Sequence, residues 1–398
     1  MTRILLTTLL AVVALAGCRE RLTVPGQCPD QCPGGTLVIR DTVIDAIQSA
    51  DSSFSGYVGF HDAAGLLLAQ GSTAGEIHAI VTFDEMPEAF PFGGQEVAYV
   101  IDSVSISIGV VGRDTLVKQP RLLLYRFPVD IDSTMTFTEA QALFDAGTPM
   151  DTLVVPDSLL LGRISRTYAG DELDKLLIPA ADSGRLAFGI RLDADAPTGL
   201  RIGARLTEGL MPSLVYFVTI DVPDSLFRKQ FYSPDVRYAG MVRDTDRVTD
   251  PDLLVVGGVP ANRAIIRFAL PPEIEQAGSV LRATLELTPS RPYYGLASDV
   301  TLVDVRAVVV DLGYRSVPIA TGASSGLVPI SGEDVLEVEV GSIVNIWRAE
   351  RLVPRLLYLS VAPEGHAFSE PVFNSTRSAV GPPRLRITYT VPARLETP

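Results

Sequence analysis

Residues Asn262–Thr288 read NRAIIRFALPPEIEQAGSVLRATLELT, and the chain contains that pattern twice. The earlier copy runs from Ile77 to Val110. There Ala79-Ile80-Val81-Thr82-Phe83 answers Ala264-Ile265-Ile266-Arg267-Phe268, and Leu66 to Gly71 answers Leu253 to Gly257 just upstream. Each copy is an apolar run, a loop marked by proline (Met86-Pro87; Pro271-Pro272) and glycine, and then an alternating run. In the later copy Leu281, Ala283, Leu285 and Leu287 alternate with Arg282, Thr284 and Glu286. In the earlier one Val104, Ile106, Ile108 and Val110 alternate with Ser103, Ser105, Ser107 and Gly109. A strand sends alternate side chains to opposite faces, so each run predicts one buried face and one wet face. Proline offers no N–H to a ladder, so the intervening prolines mark loops.

Outward from the repeat, the same alternation recurs. Short apolar runs cover residues 57–61, 66–69, 77–83, 97–111, 121–127, 185–192, 201–207 and 214–222, separated by turn-type residues. That spacing predicts antiparallel sheets rather than βαβ units. Residues 36–39 read as an opening strand, and 41–52 as helix or loop. Thr136-x-x-Glu139 is a capping box ahead of Phe137, Ala140 and Phe144, so a helix interrupts the first half and Gly147 ends it. In the second half Ile343, Ile346 and Trp347 fall at helical spacing, with Trp347 on a core face; Leu173, Leu176 and Leu177 hold the matching place in the first. The final run, Pro383 to Thr390, answers Ser213 to Ile220, and a Val-Pro pair closes each. The expected architecture is all-β: two tandem antiparallel sandwiches at residues 36–223 and 235–392, with a linker at 224–234 and a tail at 393–398.

The 398 residues suffice for two or three cores, and 47% hydrophobic content marks a globular chain. A formal net charge of −14 argues against nucleic acid, whose phosphates need clustered lysine and arginine. At the N-terminus Arg3 precedes an apolar run from Ile4 to Gly17. As a helix those residues rise roughly 21 Å, short of a hydrocarbon core of about 30 Å, so the run reads as a secretory signal over residues 1–17. Leu15-Ala16-Gly17-Cys18 resembles the lipobox of bacterial lipoproteins, which implies a diacylated Cys18. Arg19 in place of an aspartate favours the outer membrane. Residues 18–35, rich in proline and glycine, read as a tether. Cys28 and Cys32 lie within it, and an oxidising compartment predicts a disulfide between them.

The second half, roughly residues 233–391, resembles the DNRLRE-type domain, a jelly roll related to carbohydrate-binding modules. The residues that carry the resemblance are Ala264 to Leu270, Ala283 to Leu287, Val338 to Val340 with Trp347, and Pro383 to Tyr389. It implies a non-catalytic extracellular module, often found beside polysaccharide-active or adhesive ones.

Four patterns could carry chemistry. Gly322-Ala323-Ser324-Ser325-Gly326 fits G-x-S-x-G, with Asp334 and His366 following in hydrolase order, but no helix follows the serine as a nucleophile elbow requires. Asp244, Asp246, Asp250 and Asp252 crowd one loop with the hard oxygens calcium prefers, without the EF-hand glycine or terminal glutamate; Asp193 and Asp195 are a second acidic pair. Tyr293 and Tyr294, and Phe90 and Phe92 in the first half, could stack on sugar rings or plug the ends of a core. No catalytic set emerges. The sequence leads to two readings: a lipid-anchored module binding polysaccharide or another extracellular polymer, or a structural lipoprotein contacting an envelope protein.

Overall fold

A computed structural model describes residues 38–56, 65–72, 75–92, 94–176, 185–220, 228–244, 250–296, 299–320, 322–362, 364–365 and 367–391. The signal, Cys18, Cys28, Cys32, His61, Asp246 and His366 lie outside the described residues. The chain is mainly β, with 49% strand against 10% helix, so the antiparallel expectation holds. Its sheets are several, one of them a curled half-barrel.

In the second half one sheet runs β1 (Ile39–Asp45), β25 (Arg384–Thr390), β18 (Ser279–Leu287), β22 (Leu336–Glu339). A second runs β2 (Asp51–Phe54), β17 (Arg263–Arg267), β23 (Leu356–Ala362), β20 (Leu302–Ala307), β21 (Ser324–Leu327). Their inner faces share one core. Ile266, Leu359 and Val305 come from the five-stranded sheet, Leu285, Ile387 and Val338 from the four-stranded one. Trp347 and Ile343 of helix α3 (Gly341–Ala349) pack into the same core, as the helical spacing predicts. A short ladder, β16 (Leu253–Val255), β24 (Val372–Asn374), β19 (Pro289–Arg291), completes this half. Helix α2 (Pro272–Glu275) occupies the proline-marked loop of the quoted repeat.

The first half repeats this order strand for strand. β14 (Arg228–Tyr232), β13 (Ser213–Ile220), β7 (Tyr99–Arg113) and β10 (Gly162–Ala169) match the four-stranded sheet. β15 (Val236–Arg243), β4 (Gly75–Phe83), β11 (Leu186–Asp193), β8 (Arg121–Arg126) and β9 (Asp151–Val154) match the five-stranded one. β3 (Gly65–Ser72) and β12 (Thr198–Gly203), with the end of β7, match the short ladder. Here the three pieces fuse into one eleven-stranded sheet. One of the two joins has a local cause: β7 runs unbroken for fifteen residues, whereas Pro289, which has no N–H to give, follows the break between β18 and β19; the other join is the pairing of β3 with β4. The hairpin of β5 (Phe90–Phe92) and β6 (Gln95–Val97) is an addition in this half. Helix α1 (Phe137–Ala146), with the Thr136–Glu139 capping box formed in full, lies on the outer face of the β15-β4-β11-β8 region and buries Phe144 there.

Strand pairing and register differ from the repeat pattern in two places. The division at residues 36–223 and 235–392 does not follow the strand pairing. Ile39–Asp45 is a strand on β25 and Asp51–Phe54 a strand on β17, so the N-terminal arm completes the second half. Conversely Val236–Arg243, expected to open the second half, pairs with β4 of the first. In β18 a bulge between Val280 and Arg282 shifts the alternation, so Val280 faces the core and Leu281 is 52% exposed.

The halves meet along a dry seam. Leu67, Ala69, Ile77 and Met241 from the first pack against Val259, Leu296 and Phe368 from the second. Two ion pairs are sealed into it: Arg201 to Asp299 at 3.1 Å and Arg243 to Glu370 at 3.4 Å, with all four side chains at most 10% exposed. Burial pulls Arg243 down to about 10 against the pull of Asp244, which leaves it charged at neutral pH.

Candidate functional site

Among the described residues, the side chains singled out in sequence lie apart from one another or inside the cores. Tyr293 is buried in the second core, its hydroxyl donating to the Val328 carbonyl at 2.8 Å. Tyr294 packs edge-on against Phe368 in the seam, beside Gly199, where a Cβ would stand 2.7 Å from its hydroxyl. Burial, followed by the Asp114 carboxylate, raises its pKa. Tyr293 thus packs inside the second core, and Tyr294, partly buried, packs in the seam. Phe90 is buried against Tyr99 and Tyr232.

The acidic loop gives a similar result. The Asp250 carboxylate accepts from the Asp252 amide at 2.9 Å, a turn-closing bond, and Asp244, Asp250 and Asp252 are exposed. Among the described residues no three histidine, cysteine or acidic side chains gather to hold a metal. Asp193 and Asp195 both hold Arg121, at 2.6 and 3.1 Å. Ser324 begins the edge strand β21, and its neighbour Ser325 donates to Asp304 at 2.6 Å. The strand-turn-helix of a nucleophile elbow is absent from this described stretch.

What sequence reading missed is the outer face of the sheet β14-β13-β7-β10. Because Val104, Ile106 and Ile108 face the core, Ser103, Ser105 and Ser107 line up outside. Register extends each serine into a row across the strands. Ser213, Ser107 and Ser165 form one row, Val215, Ser105 and Thr167 the next, then Phe217, Ser103 and Ala169. Successive rows on one face stand roughly 7 Å apart, and strands roughly 4.8 Å. Ser107 and Ser165 hydroxyls lie 2.8 Å apart, and Thr167 donates to Ser105 at 3.3 Å. Ser107 is buried, its hydroxyl taken by Arg163 and Ser165, whereas the Ser103, Ser105 and Thr167 hydroxyls are not buried and keep lone pairs free to accept.

Phe217 stands directly opposite Phe231 on β14, the two rings 43% and 74% exposed. Two neighbouring exposed aromatics stand apart on a face otherwise lined mainly by hydroxyls. Arg163 borders the hydroxyl rows. Its guanidinium donates to Ser107, Ser213 and the carbonyls of Gly209 and Met211, at 2.9 to 3.0 Å. At the opposite border Thr219 donates to Asp102 at 2.7 Å. Between Arg163 and the row of Asp102, Thr219 and Lys229, the outward residues in register on β13, β7 and β10 are uncharged.

The matching face of the second half is tiled with charge. Asp45 meets Arg384 at 3.0 Å, Arg386 meets Glu286 at 2.8 Å, and Arg282 meets Glu339 at 3.3 Å. Both faces rest on the same strand order, so the difference lies in the side chains alone.

No protein-family model matches the chain, and no curated protein matches it. Among the described residues no helix is long and apolar enough to cross a membrane.

Proposed function

We propose that this protein is a non-catalytic cell-envelope lipoprotein of two jelly-roll-like sandwiches that holds a neutral, polyhydroxylated polymer against the outer face of its first half. The observation that supports this most is the pairing of Phe217 with Phe231 beside three rows bearing serine and threonine hydroxyls. Aromatic faces stack on the C–H faces of sugar rings, and hydroxyls exchange hydrogen bonds with sugar hydroxyls without a charge to desolvate. An open sheet face suits an extended chain better than a small ligand, which a concave pocket would bury. The second-half resemblance to carbohydrate-binding modules agrees with the substrate class, although this reading places the binding face in the first half. In this reading Cys18 carries the lipid, and the tether joins the folded part at Val38, next to β1.

The test is binding of the full chain to a panel of immobilised neutral and acidic polysaccharides, with and without calcium. Two aromatic contacts of about 1 kcal/mol each correspond to roughly a 30-fold loss of affinity for Phe217→Ala with Phe231→Ala. Arg386→Gln, on the matching face of the second half, leaves binding unchanged. Equal binding by the double variant, or no binding across the panel, overturns the proposal.

One observation favours the envelope-protein reading instead. The loop after β20 exposes Val309, Val310, Leu312, Tyr314 and Val317, at 47 to 60%. Co-purification of one defined envelope protein, lost on Leu312→Ser with Tyr314→Ser, would transfer the assignment to that loop.

A further inference from the structure

Each half needs a two-strand arm, and the halves obtain it differently. In the first, β14 and β15 follow β13 in sequence and add to the β13 and β4 edges. In the second, the same two positions, beside β25 and β17, are filled by β1 and β2 from the far N-terminus. Among the described residues, every strand pairing of this arm goes to the second half. So do the bonds from Ile47 to Arg267, Ala46 to Pro383, Val255 to Ser53 and Gly56 to Ala261. Ile44 and Ala46 pack on the second core.

The arm also carries a buried latch. Asp51 is 1% exposed, and its carboxylate accepts from the Thr376 amide at 2.8 Å, the Thr376 hydroxyl at 2.6 Å and Arg377 at 3.1 Å. A carboxylate held by three donors is a recognition contact of charge-assisted strength and defined geometry. The arm thus has the features of a bound peptide: ladder bonds, apolar anchors and one specific charged contact.

We propose that the β25 and β17 edges, with Thr376 and Arg377, form a strand-acceptor site whose ligand is residues 38–56, and that this site accepts the arm of a second copy of the chain as well as its own. In the first half β14 follows its acceptor β13 directly in sequence, whereas β1 and β2 both reach acceptors, β25 and β17, that lie far along the chain. Two copies at high concentration therefore exchange arms and form a dimer joined by strand addition.

Two full-length chains with different affinity tags test this. One carries Ile44→Asp with Asp51→Ala, spoiling the arm and keeping the acceptor. The other carries Ile387→Asp with Arg377→Ala, spoiling the acceptor and keeping the arm. Refolded together they give a one-to-one heterodimer, recovered through both tags at least tenfold above either chain refolded alone. Absence of that heterodimer overturns the proposal, as does a wild-type unfolding profile for the arm-spoiled chain by itself. Since Ile387→Asp endangers folding, a second measurement keeps the wild-type sequence and inserts a protease site between Gly56 and Gly65. Cut after folding, the arm stays bound through gel filtration and exchanges for a labelled peptide of residues 38–56. Immediate release of the arm, with the rest of the chain unfolding as before, overturns the proposal equally.

Discussion

The first half finishes itself, and the second half is finished by the other end of the chain. Both have the same strand order, the same two-layered core and the same need for an arm. The first draws that arm from the next residues in sequence, β14 and β15, and the second draws it from β1 and β2. As a result each half contains strands that sequence order assigns to the other. The repeat is a unit of pattern, and strand pairing crosses between its two copies.

The largest expected effect follows from that interlock. A protease site inserted between Ile220 and Arg228, cut after folding, leaves an N-terminal piece holding β1 and β2 and a C-terminal piece holding β14 and β15. The pieces co-elute in gel filtration and separate in denaturant. Two independent tandem domains would part on cutting, so separate elution in native buffer breaks the comparison.

Next in size is the seam. Asp299→Ala removes the carboxylate facing Arg201, whose side chain is 10% exposed. Breaking a buried pair from one side costs roughly 3–5 kcal/mol. The halves should lose their common unfolding transition, seen as a split in a calorimetric trace. A single transition at the wild-type temperature would show that the seam contributes little.

These two features also mark the limit of what sequence could reveal. Strand positions were legible because alternation is local: Ser213–Ile220, Gly75–Phe83 and Arg121–Arg126 fall where their apolar spacing puts them. So were the Thr136–Glu139 cap and the core face of Trp347. Pairing partners were not legible. Residues 39–45 carry no signal that distinguishes an edge on β25 from an edge on β13, because ladder bonds are made by backbone common to every residue. Tyr293 and Tyr294 were ambiguous for a related reason. An aromatic after a strand reads identically whether solvent or a partner half lies beyond it. Phe217 and Phe231 were hidden in the opposite sense, since an outward Phe in an apolar run, Leu214 to Ile220, looks like core until register sets its face.

A smaller effect compares one position in each half. His78 on β4 and Arg263 on β17 both precede the Ala of the quoted repeat. Arg263 holds Glu364 through two bonds of 2.6 Å and reaches the Tyr358 hydroxyl, so its charge is matched and does not titrate near neutrality. His78 is fully buried under α1, between Phe137 and Phe144, with Nε2 3.0 Å from Gln141. Burial is the main cause that lowers its pKa below 6.5; Arg191 lowers it further, while Gln141, Glu76 and the Ile77 backbone oppose. A histidine depressed in the fold is protonated first in the unfolded chain. Stability is therefore full above about pH 6.5 and falls as pH drops from there toward the folded value. His78→Leu flattens that part of the stability–pH curve, measured by urea melts across the acid range, and an unchanged slope would assign it to other groups.

The smallest expected effect is on the charged face that matches the Phe217–Phe231 face. Arg386 is about half exposed and touches Glu286 and Asp41 at 2.8 and 3.9 Å. Solvent and salt screen such pairs, and holding long side chains in one geometry costs entropy that offsets the attraction. Arg386→Gln should leave the melting curve within its error at physiological salt, and polymer binding unaltered. The value of that null result lies in its partner experiment. Phe231→Ala, the counterpart change on the first-half face, exposes no buried group because the ring is already 74% in water. It too should leave stability unaltered, and binding alone should fall. If Phe231→Ala destabilises the protein as a core substitution does, the ring is packing, the two faces do not differ in purpose, and the binding assignment falls with it.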